Sequence, residues 1–274
     1  MIIRTVMLGA AALLLAAGAQ AQTKWDMPTP YSEGEFHTRN VKSFVEDVKG
    51  ATGGRLDIVV HSNGSLIKHP DILRAVTSGQ VNIAEFLLSQ FGNEDPVFEA
   101  DNIPFVAAGY DDAWKFYQAQ KPLLEKKLQG RGLRLLYSVA WPGQGIYTKE
   151  PLKSVADLKG TKFRTYSPLT ARLAELLGAS PTVVQVPDVP QMFATGGIQA
   201  MITSSATHTA SSLPNCDSRN SAMLTWPLDT ARRMSGCLMS DPAVCSVMSS
   251  PPLVACFTSS ANCLMLRVWN SPSE

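Results

Sequence analysis

A guanidinium at the carboxyl end of a short strand, just before a helix start, is the strongest chemical feature of this sequence. It belongs to Arg164, within residues 154–168, SVADLKGTKFRTYSP. Ser154 and Asp157 have the S-x-x-D spacing of a capping box, opening a short helical turn that Lys159-Gly160 closes. Residues 161–165 then predict a brief strand carrying Arg164. Ser167-Pro168 follows as an N-cap and first helical residue. Leu169, Leu173, Leu176 and Leu177 are expected on one apolar stripe of that helix, with Gly178 at its C′ position. Ligands of open α/β sheets bind at the carboxyl ends of strands, and both the guanidinium and the helix end favour an anion. A carboxylate suits the site best; the plainer alternative is a pairing with a surface acid.

The elements that must position this arginine alternate between strand and helix from residue 23 to residue 204, which predicts an α/β fold. Residues 24–27 read as a strand ended by Pro28-Thr29-Pro30. Residues 36–52 read as a helix with Val41, Phe44, Val45 and Val48 at helical spacing, stopped by Gly53-Gly54. A strand at 56–61, a turn at Asn63-Gly64, a helix at 71–78 ended by Gly79 and a buried strand at 81–87 follow. Residues 111–129 give two helical stretches broken at Pro122; 133–141 and 145–148 are strands separated by Pro142-Gly143. Beyond the Arg164 unit come a strand at 182–186, a helix near 190–194 and a strand at 199–203.

Composition narrows the setting. Residues 1–21 have the form of a cleavable export signal: Arg4 as a positive n-region, an apolar run at 6–17, and Ala19-Gln20-Ala21 as a small-x-small cleavage site. That run is too short to span a bilayer, and no cysteine stands at the cleavage site for lipid attachment. The formal net charge is +1, with no basic run interleaved with aromatics, so neither nucleic acid nor a membrane surface is an expected partner. All five cysteines (Cys216, Cys237, Cys245, Cys256 and Cys263) fall in the last quarter of the chain. Their wide spacing without CxxC fits neither a complete disulfide framework nor a zinc site. No cofactor and no metal are expected.

The order of motifs resembles the DctP-type solute receptors of TRAP transporters, the tripartite ATP-independent periplasmic carriers. The resemblance rests on TGGR at 52–55, NGSL at 63–66, ILRAVTSGQVNIAE at 72–85, DNIPFV at 101–106 and YTKEPLKSVADLKGTKFR at 147–164. ELLGASPTVV and FATGGIQAMITSS carry it on to residue 205. It implies an α/β, two-lobed flytrap of periplasmic-binding-protein type, with lobe I at 22–142 and a partial lobe II at 143–205. It implies a periplasmic receptor that closes on a small organic acid and delivers it to the membrane permease subunits of the transporter. The arginine at the position of Arg164 would grip the carboxylate, its planar fork pairing both oxygens.

Two departures bear on specificity. Related receptors often carry a second arginine where this chain has Gln144, and an asparagine where it has Thr203-Ser204-Ser205. Fewer charges point to a monocarboxylate, with an aromatic or apolar body and a hydroxy or keto group, and make Gln144 and Ser204 candidate contacts. Phe36 and His37 open a helix after a strand-end loop that could face the cleft, though a core role for Phe36 and a solvated His37 is the plainer reading. Glu85 ends a buried strand, where a carboxylate is costly unless paired; a ligand hydroxyl or a backbone group would serve. Trp141 and Tyr166 are candidates for stacking on a ligand ring or for wall packing.

An exported hydrolase or isomerase is the alternative from another class. It needs a nucleophile beside a base or a metal cluster. His37, His61, His69 and His208 are not paired at metal spacing, and no G-x-S-x-G, P-loop or GxGxxG is present. Glu94-Asp95 sits in a loop bounded by proline and is expected to cap a turn. A receptor that presents its ligand to a sensor is the other alternative.

From about residue 206 the character changes. Residues 206–274 contain no lysine, hold every cysteine, are rich in Ser, Pro and Met, and sustain no helical or strand period. This stretch departs from the family pattern, as an out-of-frame translation would; a genuine divergent tail is the alternative. Lost returning segments would leave apolar surface wet and the chain poorly folded and non-functional.

Overall fold

In a computed structural model of the chain, the described residues are 22–103, 107, 109–149, 152, 154–204 and 206–207, with the strand backbones of 253–256 and 261–268. The export signal expected at 1–21 and Cys216, Cys237 and Cys245 lie outside them.

The first lobe begins with strand β1 (Thr23–Pro28), which pairs in parallel with β2 (Leu56–His61), from Thr23 opposite Leu56 to Pro28 opposite His61. The crossover between them is helix α1 (Phe36–Ala51). Its Val41, Phe44, Val45 and Val48 recur at helical spacing and are buried. Helix α2 (His69–Ser78) ends where Gly79 takes φ 78°, a left-handed conformation that favours glycine. Strand β3 (Ile83–Leu87) is buried along its whole length, as its unbroken apolar run requires.

Helix α3 (Tyr110–Gln129) runs without interruption through Pro122, contrary to the two stretches expected from sequence. Pro122 and Gln118 are both exposed. The helix therefore loses one hydrogen bond on its solvated side, where water satisfies the carbonyl that proline cannot bond. Strand β4 (Leu133–Ala140) completes the chain's first pass through the lobe. The main core gathers here, with Phe44, Ile72, Ile83, Phe86, Phe98, Leu124 and Leu133 fully buried.

The change of sheet falls between Ala140 and Gln144. The second lobe contains β5 (Gln144–Thr148), β6 (Lys162–Thr165), helix α4 (Pro168–Leu176), β7 (Ser180–Val183), helix α5 (Val189–Ala194) and β8 (Ala200–Ser204). Its sheet order is β5-β8-β6-β7, with β6 parallel to both neighbours and β5 antiparallel to β8. The apolar stripe expected on α4 is only partly realised: Thr170 and Ala174 are buried, whereas Leu176 is 68% exposed. Thr170, Ala174 and Leu177 share the packed side, and Leu176 is rotated away from it.

Two strands from the tail reach the first lobe. β9 (Leu253–Cys256) and β10 (Ala261–Val268) give a sheet of order β3-β10-β4-β9. β10 lies antiparallel between β3 and β4, with Asn262 opposite both Leu87 and Val139. Thus a segment with no sustained period in sequence supplies a central backbone ladder.

Candidate functional site

The Arg164 unit folds as its local signals demand. The Ser154 N–H donates to the Asp157 carboxylate at 2.9 Å, closing the short turn of residues Val155–Leu158. At the start of α4 the Thr170 N–H donates to Ser167 Oγ at 3.2 Å, while Thr170 Oγ1 accepts from the Ser167 and Tyr166 N–H groups at 2.9 and 3.1 Å. Thr170 thus takes the role that Glu or Gln usually plays in this motif and pins the backbone on both sides of Tyr166.

Arg164 is only 2% exposed. Its Nε donates to the Val184 carbonyl at 2.9 Å and Nη1 to the Ile202 carbonyl at 3.1 Å. Its guanidinium carbon lies 5.1 Å from the centre of the Tyr166 ring. Among the described residues no Asp or Glu pairs with it. Burial lowers its pKa to about 10, with the Tyr166 and Tyr31 hydroxyls acting in the opposite sense. The cation is held by carbonyl dipoles and an aromatic face, and its charge is left for something that enters the cavity.

That cavity, partly open to solvent, lies where the two lobes meet. Arg164, Gln144, Tyr166, Gln185, Thr203 and Ser204 come from the second sheet and its connections; Tyr31, His69, Leu87, Gln90 and Asn102 come from the first lobe, with Trp141 at the crossover. Val186 and Thr207 complete the lining, which among the described residues contains no Asp or Glu. Tyr31, Leu87, Trp141 and Tyr166 form an apolar seam, Tyr31 meeting Trp141 edge-on at 5.4 Å. Tyr166 donates its hydroxyl to Gln144 Oε1 at 3.1 Å.

Of the residues expected from sequence, Arg164, Gln144, Trp141, Tyr166 and Ser204 therefore share one cavity. Phe36, His37 and Glu85 stand outside its lining. His37 is fully buried rather than solvated, its ring 4.2 Å from Trp141 and 3.9 Å from Phe36. Burial pulls its pKa well below the usual histidine value, and Nδ1 lies 3.7 Å from Glu85 Oε1. Glu85 accepts the Thr29 hydroxyl at 2.5 Å. Tyr31 and Trp141 pack against this group and form the cavity wall, so it sits one layer behind.

Sequence reasoning missed His69, Gln185, Gln90 and Asn102. The His69 Nε2 accepts the Leu87 N–H at 3.1 Å, and Nδ1 meets Gln185 Oε1 at 2.9 Å across the cleft. Burial lowers the His69 pKa to about 4. Gln90 Oε1 and both amide atoms of Asn102 are buried without a hydrogen-bond partner among the described residues. Only the position of His69 beside Pro70 at a helix start hinted at any of them. Nothing local marks the glutamines.

The arrangement can bind and orient, with little in it to catalyse. Asp95 caps its own turn by accepting the Val97 N–H at 3.0 Å and pairs with Lys127 at 2.5 Å, while Glu94 pairs with Arg131. Among the described residues no group of His, Cys, Asp or Glu could hold a metal ion.

Comparisons with known proteins show which family the chain belongs to. Residues 29–215 match the family model DctP, "Bacterial extracellular solute-binding protein, family 7". The chain is similar in structure to DctP6 of Bordetella pertussis, an extracytoplasmic solute receptor crystallised binding pyroglutamic acid. They share 40% identity at a TM-score of 0.70, over 89% of this chain and 71% of that one. DctP7 of the same organism, likewise binding pyroglutamic acid, is 48% identical at a TM-score of 0.68, over 69% of this chain and 63% of that one. A curated solute-binding protein of Albidiferax ferrireducens is 26% identical over 177 residues, 63% of this chain and 52% of the relative. The chain thus spans about half the length of the curated relatives it matches. It belongs to the DctP family of bacterial extracellular solute-binding proteins, the two-lobed periplasmic receptors of TRAP transporters.

Proposed function

We propose that this protein captures a small monocarboxylate of the pyroglutamate class in the periplasm, where residues 1–21 direct it, and delivers it to a TRAP permease. The observation that carries the reading is a buried arginine that, among the described residues, has no acidic partner and no Asp or Glu in the lining around it. One carboxylate neutralises one guanidinium; a second carboxylate would find no second cation in the lining. Two relatives at 40% and 48% identity bind pyroglutamic acid, a five-membered lactam with one carboxylate. The unpartnered Gln90 Oε1 suits a lactam N–H, and the Asn102 amide suits either ring polar group. Tyr31, Trp141 and Tyr166 offer aromatic faces to an apolar ring.

Thermal unfolding with a ligand panel tests this. A ligand present at 100 times its dissociation constant adds about 2.7 kcal/mol to stability. L-Pyroglutamate is expected to raise the midpoint at micromolar concentration, with malonate and D-glucuronate having little effect. A protein stabilised only by dicarboxylates would contradict the reading.

A further inference from the structure

The polarity of the Gln185 side chain is fixed by the backbone. An amide N–H can only donate, so the Leu87 N–H requires a lone pair on His69 Nε2, 3.1 Å away. The neutral imidazole then carries its proton on Nδ1, and the group 2.9 Å from Nδ1 must be an acceptor, Gln185 Oε1. What remains of Gln185 is its amide nitrogen, with two N–H donors and no acceptor among the described residues. Gln185 lines the cavity, and the carbonyl of the preceding residue, Val184, accepts from Arg164 Nε. Arg164 and Gln185 thus both present N–H donors to the one cavity.

We propose that His69 and Gln185 form a specificity filter, which favours carboxylic acids bearing a neutral acceptor within reach of the Gln185 amide nitrogen over acids that lack one. His69 is the positioning residue: it acts through Gln185 by denying that amide the flip that would present its oxygen to the ligand. The acceptor is a lactam, keto or hydroxy oxygen, and the disfavoured class is ring acids without one, such as L-proline. A lactam oxygen completes the Gln185 hydrogen bonds, which an acid with no acceptor at that place leaves unmade. The inference rests on the carboxylate-receptor reading above. Burial also keeps His69 neutral near neutral pH, against the Gln185 hydrogen bond and with the aid of the Arg164 charge.

The test compares L-pyroglutamate with L-proline, the same ring acid with an ammonium and no carbonyl, by isothermal titration of the full chain. The wild type is expected to prefer pyroglutamate by at least about 100-fold. Gln185→Glu, acceptor-only at neutral pH, is expected to shrink that ratio at least about 10-fold. His69→Ala should shrink it too, whereas His69→Asn, whose amide nitrogen replaces Nδ1, should retain most of it. Two-dimensional ¹⁵N spectroscopy of the imidazole should show His69 as the Nδ1–H tautomer, with or without ligand. Equal wild-type affinity for both acids, an unchanged ratio in a folded Gln185→Glu protein, or an Nε2–H tautomer would each overturn the filter while leaving the receptor reading intact. Absence of wild-type binding to any carboxylic acid, with the Nδ1–H tautomer present, would instead remove the receptor reading and the filter with it.

Discussion

The Glu99 carboxylate accepts the Leu169 backbone N–H at 2.5 Å, joining the first lobe to the first turn of α4 in the second. The contact places an anion where an unbonded N–H and the helix dipole both favour one. Glycine at position 92 makes room for it, because a Cβ there would come within 2.6 Å of the Glu99 carboxyl carbon. A contact between lobes stabilises only conformations in which they meet.

Glu99→Gln is accordingly expected to weaken ligand affinity by about 3- to 10-fold, a loss on the order of 1 kcal/mol. Gly92→Ala should act in the same direction, because it displaces the same carboxylate. Titration calorimetry, with thermal unfolding of the ligand-free proteins as control, checks both. Unchanged affinity in both variants would show that the contact contributes nothing to closure.

Acid stability follows from two groups of opposite sense. His69 has a folded pKa of about 4 against an ordinary 6.5, so the unfolded chain gains a proton across that window and the folded chain does not. Its contribution is intact above pH 6.5 and lost towards pH 4, on the order of 3 kcal/mol in all. His37 acts in the same direction. Glu35 opposes them: burial raises its pKa to about 7 from 4.5, with the Arg39 charge opposing the shift, so its contribution is intact below pH 4.5 and lost as pH rises through 7. Glu35→Gln should therefore stabilise the protein at pH 8 by on the order of 2 kcal/mol and leave it unchanged at pH 4.5. Urea unfolding across pH 4 to 8 reads both slopes.

The tail offers a separate check. β10 occupies a central place between β3 and β4, so removing residues 208–274 would leave two buried strand edges unpaired. Loss of a cooperative melt in the truncated protein is the expected result, and it would assign the tail a structural part. An unchanged melting midpoint would instead mark the tail as sequence foreign to the fold.

Local signals were legible and distant ones were not. The capping box at Ser154, the N-cap at Ser167 and the strand end at Arg164 all act over a few residues, so the local structure around Arg164 is legible directly. Leu176 was misjudged because helical spacing finds a stripe without saying which side packs. His37 and Glu85 are candidates from sequence because both stand close in sequence to cleft elements. Only the packed structure puts Tyr31 and Trp141 in front of them. His69 and Gln185 meet across 116 residues, and no periodicity encodes such a pair.

The most direct measurement is the affinity for L-pyroglutamate of the wild-type protein and of Arg164→Lys, by titration calorimetry at neutral pH. Lysine keeps the charge but loses the planar fork and the bonds to the Val184 and Ile202 carbonyls that aim it. The account predicts wild-type binding in the micromolar range or tighter, and a loss of at least about 100-fold in the variant, roughly 2.7 kcal/mol. Wild-type binding that survives the substitution within about threefold would contradict it.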